Sequence, residues 1–558
     1  MIFQATYPRT LTDLLDRIDT GRVEAWTFDD RATRMRAEQA FAVKGVTARI
    51  RSAYKPLVHF FLEEVGPGLI KAEIAYPRHP SAVPNRFLLE TYPLSALLPG
   101  VEVTFTPGAG PDYDVTLTFP DRTETHRVRA PNRVHVDAVG ETLLSPTGWL
   151  VHDGTDEALE TEFEALFHDT IAAIAAQDWG EEPYFDELNI AVTLPVADDP
   201  LPHADEVVSL REALHEDLYF TLLEVFQRRS GRPLGDRGLQ PGQIVPEVRF
   251  GPESAVRVEV RPLSREDRTG EAQDLDTATA PLPVTQIADI LTSLNGTAFQ
   301  ADTRSGRQVT AMRVTGTGAP IMISAGQHAN ETTGIVGALR AGRRLAEQGA
   351  AFTLSPLENP DGYALHQRLI ADNPRHMHHA ARYTALGDDL EYRAGAYEKA
   401  IRLQAEALTG AALHVNLHGY PAHEWTRPLS GYVPRNFAMW TIPKGFFLVL
   451  RHHADHAQAA ERLIDGVTRR LADVPGLIED NNAQIALYEV HAGETGYRMI
   501  NGFPCLVHAD DRHSVPLTLI TEYPDETIYG AAFRAGHEAQ MQTVLAAHAV
   551  WQEMSGGV

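Results

Sequence analysis

The sequence of 558 residues contains a single cysteine, Cys505. One thiol excludes an intrachain disulfide and any zinc site built from several thiolates, so we expect a reducing compartment. Long apolar runs are also missing. No stretch approaches the length of a membrane span, and the first residues lack the basic region and apolar core of a secretory signal. We therefore expect a cytoplasmic protein with no membrane partner.

Positive charge is scarce as well. The chain has 49 Lys and Arg against 75 Asp and Glu, which gives a formal net charge of −26. Nucleic acids and anionic membranes both require a basic protein face. The charge balance therefore argues against either as the principal partner and mainly favours solubility.

The first half of the chain predicts an α+β accessory region over residues 1–263. Residues 1 to about 40 predict a short helical or irregular entry. Residues 48–136 predict a β-rich unit, because short apolar runs such as Leu57–Leu62 alternate with Pro and Gly turns. Residues 137–263 mix helical periodicity with strand patterns. Nothing in this half assigns it a chemistry.

Residues 264–284 are polar and punctuated by proline, which predicts an exposed linker. From residue 285 to residue 558, short apolar strands alternate with helices. This alternation predicts an α/β domain, a three-layer sandwich around a mixed, largely parallel sheet. The strands are expected at Gln308–Val314, Ile321–Ala325, Ala351–Leu354, Leu413–Leu417, Phe446–Leu450, Ile485–Val490 and Leu517–Thr521.

The segment His328-Ala-Asn-Glu331 follows the buried strand Ile321–Ala325 and precedes a helical pattern. Turns at the carboxyl ends of strands are where open α/β sheets bind ligands. A His and a carboxylate three residues apart can present both donors on one side of such a turn, which suits a divalent metal. The same pair is also common on surface helix starts, where the carboxylate favours the helix dipole.

Three more motifs follow, each at the end of a predicted strand. They are Glu358-Asn-Pro-Asp-Gly-Tyr363, Leu413-His-Val-Asn-Leu-His-Gly-Tyr420 and Leu517-Thr-Leu-Ile-Thr-Glu-Tyr523. Together with the first segment, this order resembles the zinc metallocarboxypeptidase family (carboxypeptidase A-like). Its members have His-x-x-Glu, then Asn-Pro-Asp-Gly, a strand-terminal His and a strand-terminal Glu. The resemblance covers about residues 285–555.

The resemblance implies a metallocarboxypeptidase-like fold and a zinc-dependent hydrolase. It assigns His328, Glu331 and His418 to Zn²⁺ and Glu522 to the general base. Two imidazoles and one carboxylate leave a zinc position open for water, whose pKa falls towards ~7. A carboxylate that does not bind the metal then takes the proton and passes it to the leaving amine. The alternative for Glu522 is a surface carboxylate at a strand end.

Substrate recognition departs from the family pattern Gly-x-Asp-Leu-Asn-Arg. Gly387-Asp-Asp-Leu390 matches its front, so the resemblance makes Asp389 the carboxylate that accepts a hydrogen bond from the first metal-binding His. Glu391 and Tyr392 replace the Asn-Arg that binds a substrate's terminal carboxylate. Arg393, one place later, is the candidate to bind that anion. Since Glu391 would repel a carboxylate, we expect C-terminal amidation of a peptide to cost little.

Arg382 and Arg375 are rivals for polarising the scissile carbonyl, and Arg375 is also a substrate-binding candidate. Arg382 lies in an Arg-Tyr pair that is also similar to the succinylglutamate desuccinylase and aspartoacylase branch of the superfamily. Tyr497, on a glycine-containing loop before Glu522, matches the family's mobile Tyr that covers the substrate. A packed loop aromatic is the alternative.

Other histidines are expected to be surface residues rather than metal ligands, because solvated loops and helix faces carry such clusters more often than metal sites do. They are His376, His378 and His379 in a polar loop, His452, His453 and His456 at helical spacing, and His203 with His215-Glu-Asp217.

We therefore expect a zinc metallopeptidase that hydrolyses an amide or peptide bond in a peptide or acylated amino acid. One alternative is a deacylase or amidase acting on small acylated amino acids or unusual peptides. The other is a catalytically silent zinc-binding module. The complete His, Glu, His, Glu set favours an enzyme, since drift without chemical use would be expected to damage at least one member. The sequence leaves the exact substrate and the oligomeric state open.

Overall fold

The structure is a computed structural model that describes residues 1–435 and 440–556. We refer to residues 1–263 as the N-terminal part and to residues 285–558 as the C-terminal part. The helices of the N-terminal part are α1 (Thr10–Arg17), α2 (Arg31–Val43), α3 (Pro56–Glu63), α4 (Arg86–Glu90), α5 (Leu94–Leu97), α6 (Glu162–Ala175) and α7 (Leu210–Arg229).

The strands of the N-terminal part form small sheets, the first of which joins its two ends, because β1 pairs with β16. These strands are β1 (Phe3–Tyr7), β2 (Arg22–Thr27), β3 (Thr47–Ser52), β4 (Lys71–Tyr76), β5 (Glu102–Pro107), β6 (Tyr113–Thr118), β7 (Thr123–Val128), β8 (Asn132–Val136), β9 (Thr142–Pro146), β10 (Gly148–His152), β11 (Thr155–Leu159), β12 (Glu187–Leu194), β13 (Asp199–Pro200), β14 (Val207–Val208), β15 (Gln243–Phe250) and β16 (Ser254–Arg261).

The C-terminal part alternates helices and strands. Its helices are α8 (Val284–Thr292), α9 (Thr333–Glu347), α10 (Pro360–Leu369), α11 (Ala400–Thr409), α12 (Ala457–Leu471), α13 (Leu477–Ala492) and α14 (Ala531–Ser555). Its strands are β17 (Thr297–Asp302), β18 (Gln308–Val314), β19 (Thr317–Ala325), β20 (Ala350–Ser355), β21 (Leu413–Pro421), β22 (Phe447–His452), β23 (Arg498–Ile500), β24 (Phe503–Ala509) and β25 (Leu517–Glu526).

Among the described residues, nine strands of this part form one sheet in the order β17-β18-β20-β19-β21-β25-β22-β24-β23. Its centre, from β20 to β25, is parallel, and its outer pairs are mostly antiparallel. Successive side chains of β19 point to opposite faces of the sheet and therefore contact different helices. Ile321 and Ile323 pack with α9, whereas Met322 packs with Ala405 of α11. The prediction of an α/β sandwich around a mixed sheet is confirmed.

The second large hydrophobic cluster belongs to both parts of the chain. Phe163, Leu222 and Phe226 of the N-terminal part pack in one cluster with Met377 and Trp425. Burial of apolar surface is the main favourable term in folding, so this shared core fixes one part on the other. Among the described residues, no helix combines the length and the apolar character needed to cross a membrane.

Two predicted strands are helices. Leu57–Leu62 lies in α3, which begins at Pro56, a residue that favours the first helical turn and disfavours a central strand. Ile485–Val490 lies in α13, whose buried residues Leu477, Asn481 and Tyr488 follow helical spacing. In both cases a short apolar run is compatible with a strand and with a buried helix, and the flanking residues determine which of the two forms.

Three other expectations also need correction. The predicted helical or irregular entry over residues 1 to about 40 contains the helices α1 and α2, but it also contains the strands β1 and β2, which were not expected. Residues 264–284 are not exposed throughout, because Leu275, Ala278 and Leu282 join the core of the C-terminal part.

The helical face around His215 is buried rather than solvated, because α7 packs between β15 and the C-terminal part. Glu216 and Asp217 are fully buried. The His215 Nδ1 atom lies 2.8 Å from the carbonyl oxygen of Pro246, which satisfies it without a metal.

Candidate active site

His328, Glu331 and His418 converge although they come from different elements. His328 and Glu331 lie in the turn between β19 and α9, and His418 lies in the neighbouring strand β21. The His328 Nδ1 atom is 2.8 Å from Glu331 Oε1, and the His418 Nδ1 atom is 2.9 Å from Glu331 Oε2. The two Nδ1 atoms are 3.1 Å apart. All three side chains are buried.

Asp389 determines which nitrogen of His328 faces this centre. Its Oδ2 atom lies 3.4 Å from His328 Nε2, and its Oδ1 atom accepts a hydrogen bond of 2.9 Å from the Gln327 amide. Burial opposes ionisation of Asp389, but the His328 imidazole and the nearby Arg237 guanidinium lower its pKa below the usual value. A carboxylate there holds the imidazole proton on Nε2 and directs the Nδ1 lone pair to the centre.

This donor set fits a divalent metal. Around a tetrahedral Zn²⁺ with bonds of about 2.0–2.1 Å, ligand atoms lie roughly 3.3 Å apart, close to the spacing seen here. Two imidazole nitrogens that face each other and a shared carboxylate are hard to satisfy by protons alone, whereas a cation satisfies all three. Two His and one carboxylate are the ligands of catalytic zinc sites with an open position.

Glu522 lines the same cavity, which has a volume of about 270 Å³. It lies on β25 directly beside His418 in the parallel β21–β25 pair, and both residues lie inside their strands rather than at the ends. Burial and the Glu331 carboxylate raise the pKa of Glu522 well above its usual value, while Arg382 and Lys444 counteract the rise. A carboxyl group with a raised pKa is suited to accept and return a proton near neutral pH.

Arg382 also lines the cavity, and its Nη1 atom donates a hydrogen bond of 2.8 Å to Glu331 Oε1. The motif Asn359-Pro-Asp-Gly362 fixes the backbone next to this arginine. The Asn359 amide donates to the Tyr383 carbonyl at 3.1 Å and its oxygen accepts from the Gly362 amide at 2.9 Å. A Cβ on Gly362 would lie 2.7 Å from the Ala381 carbonyl oxygen, so the close approach requires glycine.

Arg393 and Arg375, the two substrate-binding candidates, lie outside the set of residues lining this cavity. The Arg393 guanidinium is buried and bonds Asp388, Glu398 and Thr384. Arg375 is exposed and pairs with Asp205 of the N-terminal part. The Arg393 guanidinium already donates to these neighbours and is therefore not available to a substrate carboxylate. No motif in the sequence indicated that Glu398 would be its partner.

Tyr497 lies behind the cavity wall rather than on it. Its ring stacks on Phe447, a lining residue, with the ring centres 5.0 Å apart. Among the described residues, its buried hydroxyl has no hydrogen-bond partner.

The predicted solvent-facing loop with His376, His378 and His379 is buried against the N-terminal part. His379 lines the cavity, and its Nδ1 atom is hydrogen bonded to Glu216 of α7. His452 is likewise buried, in β22, and not on a surface helix. The local sequence pattern could not predict that these histidines are buried, because the residues that cover them come from elements distant in sequence.

Three further charged residues of the cavity, Glu391, Arg451 and Arg237, were not among the predicted catalytic, substrate-binding or metal-binding residues. Glu391 lines it and contacts Arg451, Arg402 and His513, so cations surround its carboxylate. Arg237, from the loop before β15, lines it as well. The basic residues around Glu391 extend from Arg402 to His513 in the sequence, and their convergence depends on the sheet order.

No protein-family model matches the sequence, and no curated protein matches it. Solved metallocarboxypeptidases are similar to it. A metallo-carboxypeptidase from Burkholderia cenocepacia is 13% identical with a TM-score of 0.31, over 49% of this chain and 70% of that chain. A metallo-carboxypeptidase from Pseudomonas aeruginosa is 18% identical with a TM-score of 0.28, over 48% of this chain and 69% of that chain.

Carboxypeptidase A from Helicoverpa armigera is 9% identical with a TM-score of 0.30, over 60% of this chain and 87% of that chain. The names of these three structures all describe carboxypeptidases.

Proposed function

We propose that this chain is a zinc-dependent hydrolase that cleaves an amide or peptide bond. The observation that carries the proposal is the convergence of the His328 and His418 Nδ1 atoms on the Glu331 carboxylate, at 2.8–3.1 Å and within a cavity that also contains Glu522. His328, Glu331 and His418 would hold the metal. Bound there, zinc supplies Lewis acidity for water and for a substrate carbonyl.

The residues around the metal site have separate tasks in this proposal. Glu522 accepts a proton from water at a carboxylate oxygen and returns it to the nitrogen of the leaving amine. Arg382 places a positive charge where negative charge develops on the carbonyl oxygen. Asp389 keeps the proton of His328 on Nε2, which holds the ring in its binding orientation.

The size of the cavity favours a compact substrate group. At about 270 Å³ it lies just below the roughly 300–1,000 Å³ typical of ligand pockets. A deacylase of small acylated amino acids is therefore the second candidate, alongside cleavage of a single terminal residue from a peptide.

Metal content tests the proposal directly. Protein purified without chelator should contain about one equivalent of zinc by plasma emission spectroscopy, and chelation should remove it together with activity. Acylated amino acids and peptides with free or amidated C-termini should then be screened for released amine. Less than about a tenth of an equivalent of metal, with no uptake of added zinc, would contradict the proposal.

A further inference from the structure

Two buried histidines face each other where the two parts of the chain meet. His215 lies on α7, and His378 lies in the segment that precedes Arg382. Their side chains are buried, and their ring centres are 5.2 Å apart with the ring planes at 73°. Both residues line a small cavity of about 10 Å³, which is separate from the cavity that contains Glu522. A space of this size holds one ion or one water molecule.

Each of these histidines has one ring nitrogen that is satisfied and one that is not. His215 Nδ1 donates to the carbonyl oxygen of Pro246 at 2.8 Å, and His378 Nε2 donates to the carbonyl oxygen of Asn373 at 3.0 Å. The lone pairs are therefore on His215 Nε2 and His378 Nδ1. Both atoms are buried and have no hydrogen-bond partner among the described residues. Buried polar atoms without partners are rare, and an ion or a water is the usual explanation.

The pattern of these hydrogen bonds is the one found around metal-binding histidines. Such histidines almost always donate their other ring N–H to a carbonyl or a carboxylate, which fixes the tautomer and the ring orientation. Burial lowers the pKa of both imidazoles, to about 3 for His215. Both rings are therefore neutral near pH 7 and offer a lone pair.

The distance between the rings distinguishes an ion from a water. Around a tetrahedral Zn²⁺ with bonds of about 2.0–2.1 Å, the centres of two bound imidazole rings lie roughly 5 Å apart. A water that bridges the same two nitrogens at about 2.8–2.9 Å would hold the ring centres roughly 6 Å apart. The observed 5.2 Å fits the ion. The rings of His328 and His418 in the candidate active site are similar, with centres 4.7 Å apart and planes at 68°.

The charges around the small cavity are compatible with a cation. The two guanidiniums that line it are neutralised by carboxylates, in the pairs Arg211–Asp198 and Arg249–Asp372. Glu216 Oε1 lies 3.9 Å from His215 Nε2, which is too far for a hydrogen bond. Burial raises the pKa of Glu216, and a nearby cation would favour its carboxylate form. That carboxylate supplies negative charge beside a buried divalent ion.

We propose that His215 Nε2 and His378 Nδ1 bind a divalent transition-metal ion that links α7 to the segment before Arg382. Imidazole nitrogens suit zinc and nickel. This site is separate from the active-site metal and has only two protein ligands, so it binds more weakly. It fills when zinc is added to protein that already contains its first equivalent. Because the ion joins both parts of the chain, its binding adds to the stability of the fold.

The test is a titration of the full-length protein, containing its first equivalent of zinc, with further zinc. Calorimetry and equilibrium dialysis should detect one more equivalent. His215→Asn and His378→Gln should weaken its binding ~10-fold or more, since changes around a bound metal commonly cost that much. Each variant keeps an amide donor near the position of the ring N–H that bonds a backbone carbonyl, and each removes the lone pair. The first equivalent should remain in both.

His366→Gln is the matched control. His366 is buried in α10, and its Nδ1 atom is also without a hydrogen-bond partner among the described residues, but His366 is not one of the residues lining the small cavity. This variant should keep the second equivalent. Added zinc should raise the midpoint of thermal unfolding of the unaltered protein and of His366→Gln, and should not raise it in His215→Asn or His378→Gln.

Three outcomes of the titration would overturn the proposal. They are the absence of a second equivalent, its retention in both His215→Asn and His378→Gln, and an equal loss in His366→Gln. If the variants do not fold, anomalous diffraction from crystals of the unaltered protein grown with zinc locates the ion directly. An ion between the rings of His215 and His378 supports the proposal, whereas a water there, or zinc bound only elsewhere, overturns it.

Discussion

Glu522 is the residue whose removal should separate proton transfer from metal binding. Glu522→Gln keeps the shape of the side chain and leaves the two histidines and Glu331 in place, so zinc content should stay at about one equivalent. Hydrolysis should fall ~10²-fold or more, because the group that moves the proton is gone. Single-turnover kinetics and metal analysis of the same preparation measure both.

The matched control is Glu479→Gln, which changes an exposed carboxylate at the start of α13 and should leave hydrolysis unaltered. A Glu522→Gln protein that hydrolyses its substrate at the original rate would require another base.

Arg382 and Arg375 can be distinguished in the same assay. Arg382→Ala should lower kcat on free and amidated substrates alike, by ~10-fold or more, because it removes charge beside the reacting carbonyl. Arg375→Ala should stay within about twofold, since an exposed ion pair with Asp205 contributes little. The reverse ranking would return the polarising role to Arg375.

At the residue scale, the sequence predicted the side chains that repeat a motif and did not reveal which carboxylates bind the remaining arginines. His328, Glu331, His418 and Asp389 come together where their motifs indicated. Arg393 is bound by Asp388 and Glu398 instead of facing the cavity, because burial favours the nearest carboxylates.

The loop that carries Asp389 depends on a close contact between the two parts of the chain. Gly387 has a φ of +87°, and a Cβ there would lie 2.4 Å from the Gly242 carbonyl oxygen. Gly387→Ala should therefore destabilise the protein by about 1–3 kcal/mol and weaken zinc binding, because Asp389 moves with the loop. Denaturant unfolding and zinc titration measure the two effects.

Gly410→Ala is the matched control, because Gly410 has a left-handed backbone with a φ of +58° and open space around its Cβ position. It should lose only the backbone contribution, roughly 1 kcal/mol, with unchanged zinc affinity. Equal effects of the two substitutions would show that the contact with Gly242 is unimportant.

At the scale of elements, long periodic helices and strands at regular spacing were predictable, and short apolar runs were not. β18 was predicted with its observed ends, Gln308–Val314, whereas Leu57–Leu62 and Ile485–Val490 are helical. A run of six mostly apolar residues is compatible with a strand and with a buried helix, so the local sequence leaves the choice to tertiary packing.

For the whole molecule, a buried ion pair between the two parts should make stability depend on pH. His423 Nε2 lies 2.7 Å from Glu212 of α7. Burial lowers the pKa of His423, but the Glu212 carboxylate outweighs it and raises the pKa to about 9. Since the unfolded value is ~6.5, the stabilisation is complete below pH 6.5 and is lost as pH rises through about 9.

The contribution is on the order of 2–3 kcal/mol. The free energy of unfolding should therefore differ more between the original protein and His423→Gln at pH 6 than at pH 10, as measured in denaturant. Glu212→Gln should weaken the same pH dependence, because it removes the carboxylate that contributes most to the raised pKa of His423. An undiminished slope in His423→Gln would assign the dependence to other groups.

The core shared by the two parts has a consequence for synthesis. α7 ends at Arg229, while the residues that complete its packing include Trp425 and Tyr432. Those residues leave the ribosome about 200 positions later, roughly ten to forty seconds at 5–20 residues per second. During that interval the apolar face of α7 is without its final cover. The N-terminal part of the nascent chain therefore exposes apolar surface to the cell until the second half is synthesised.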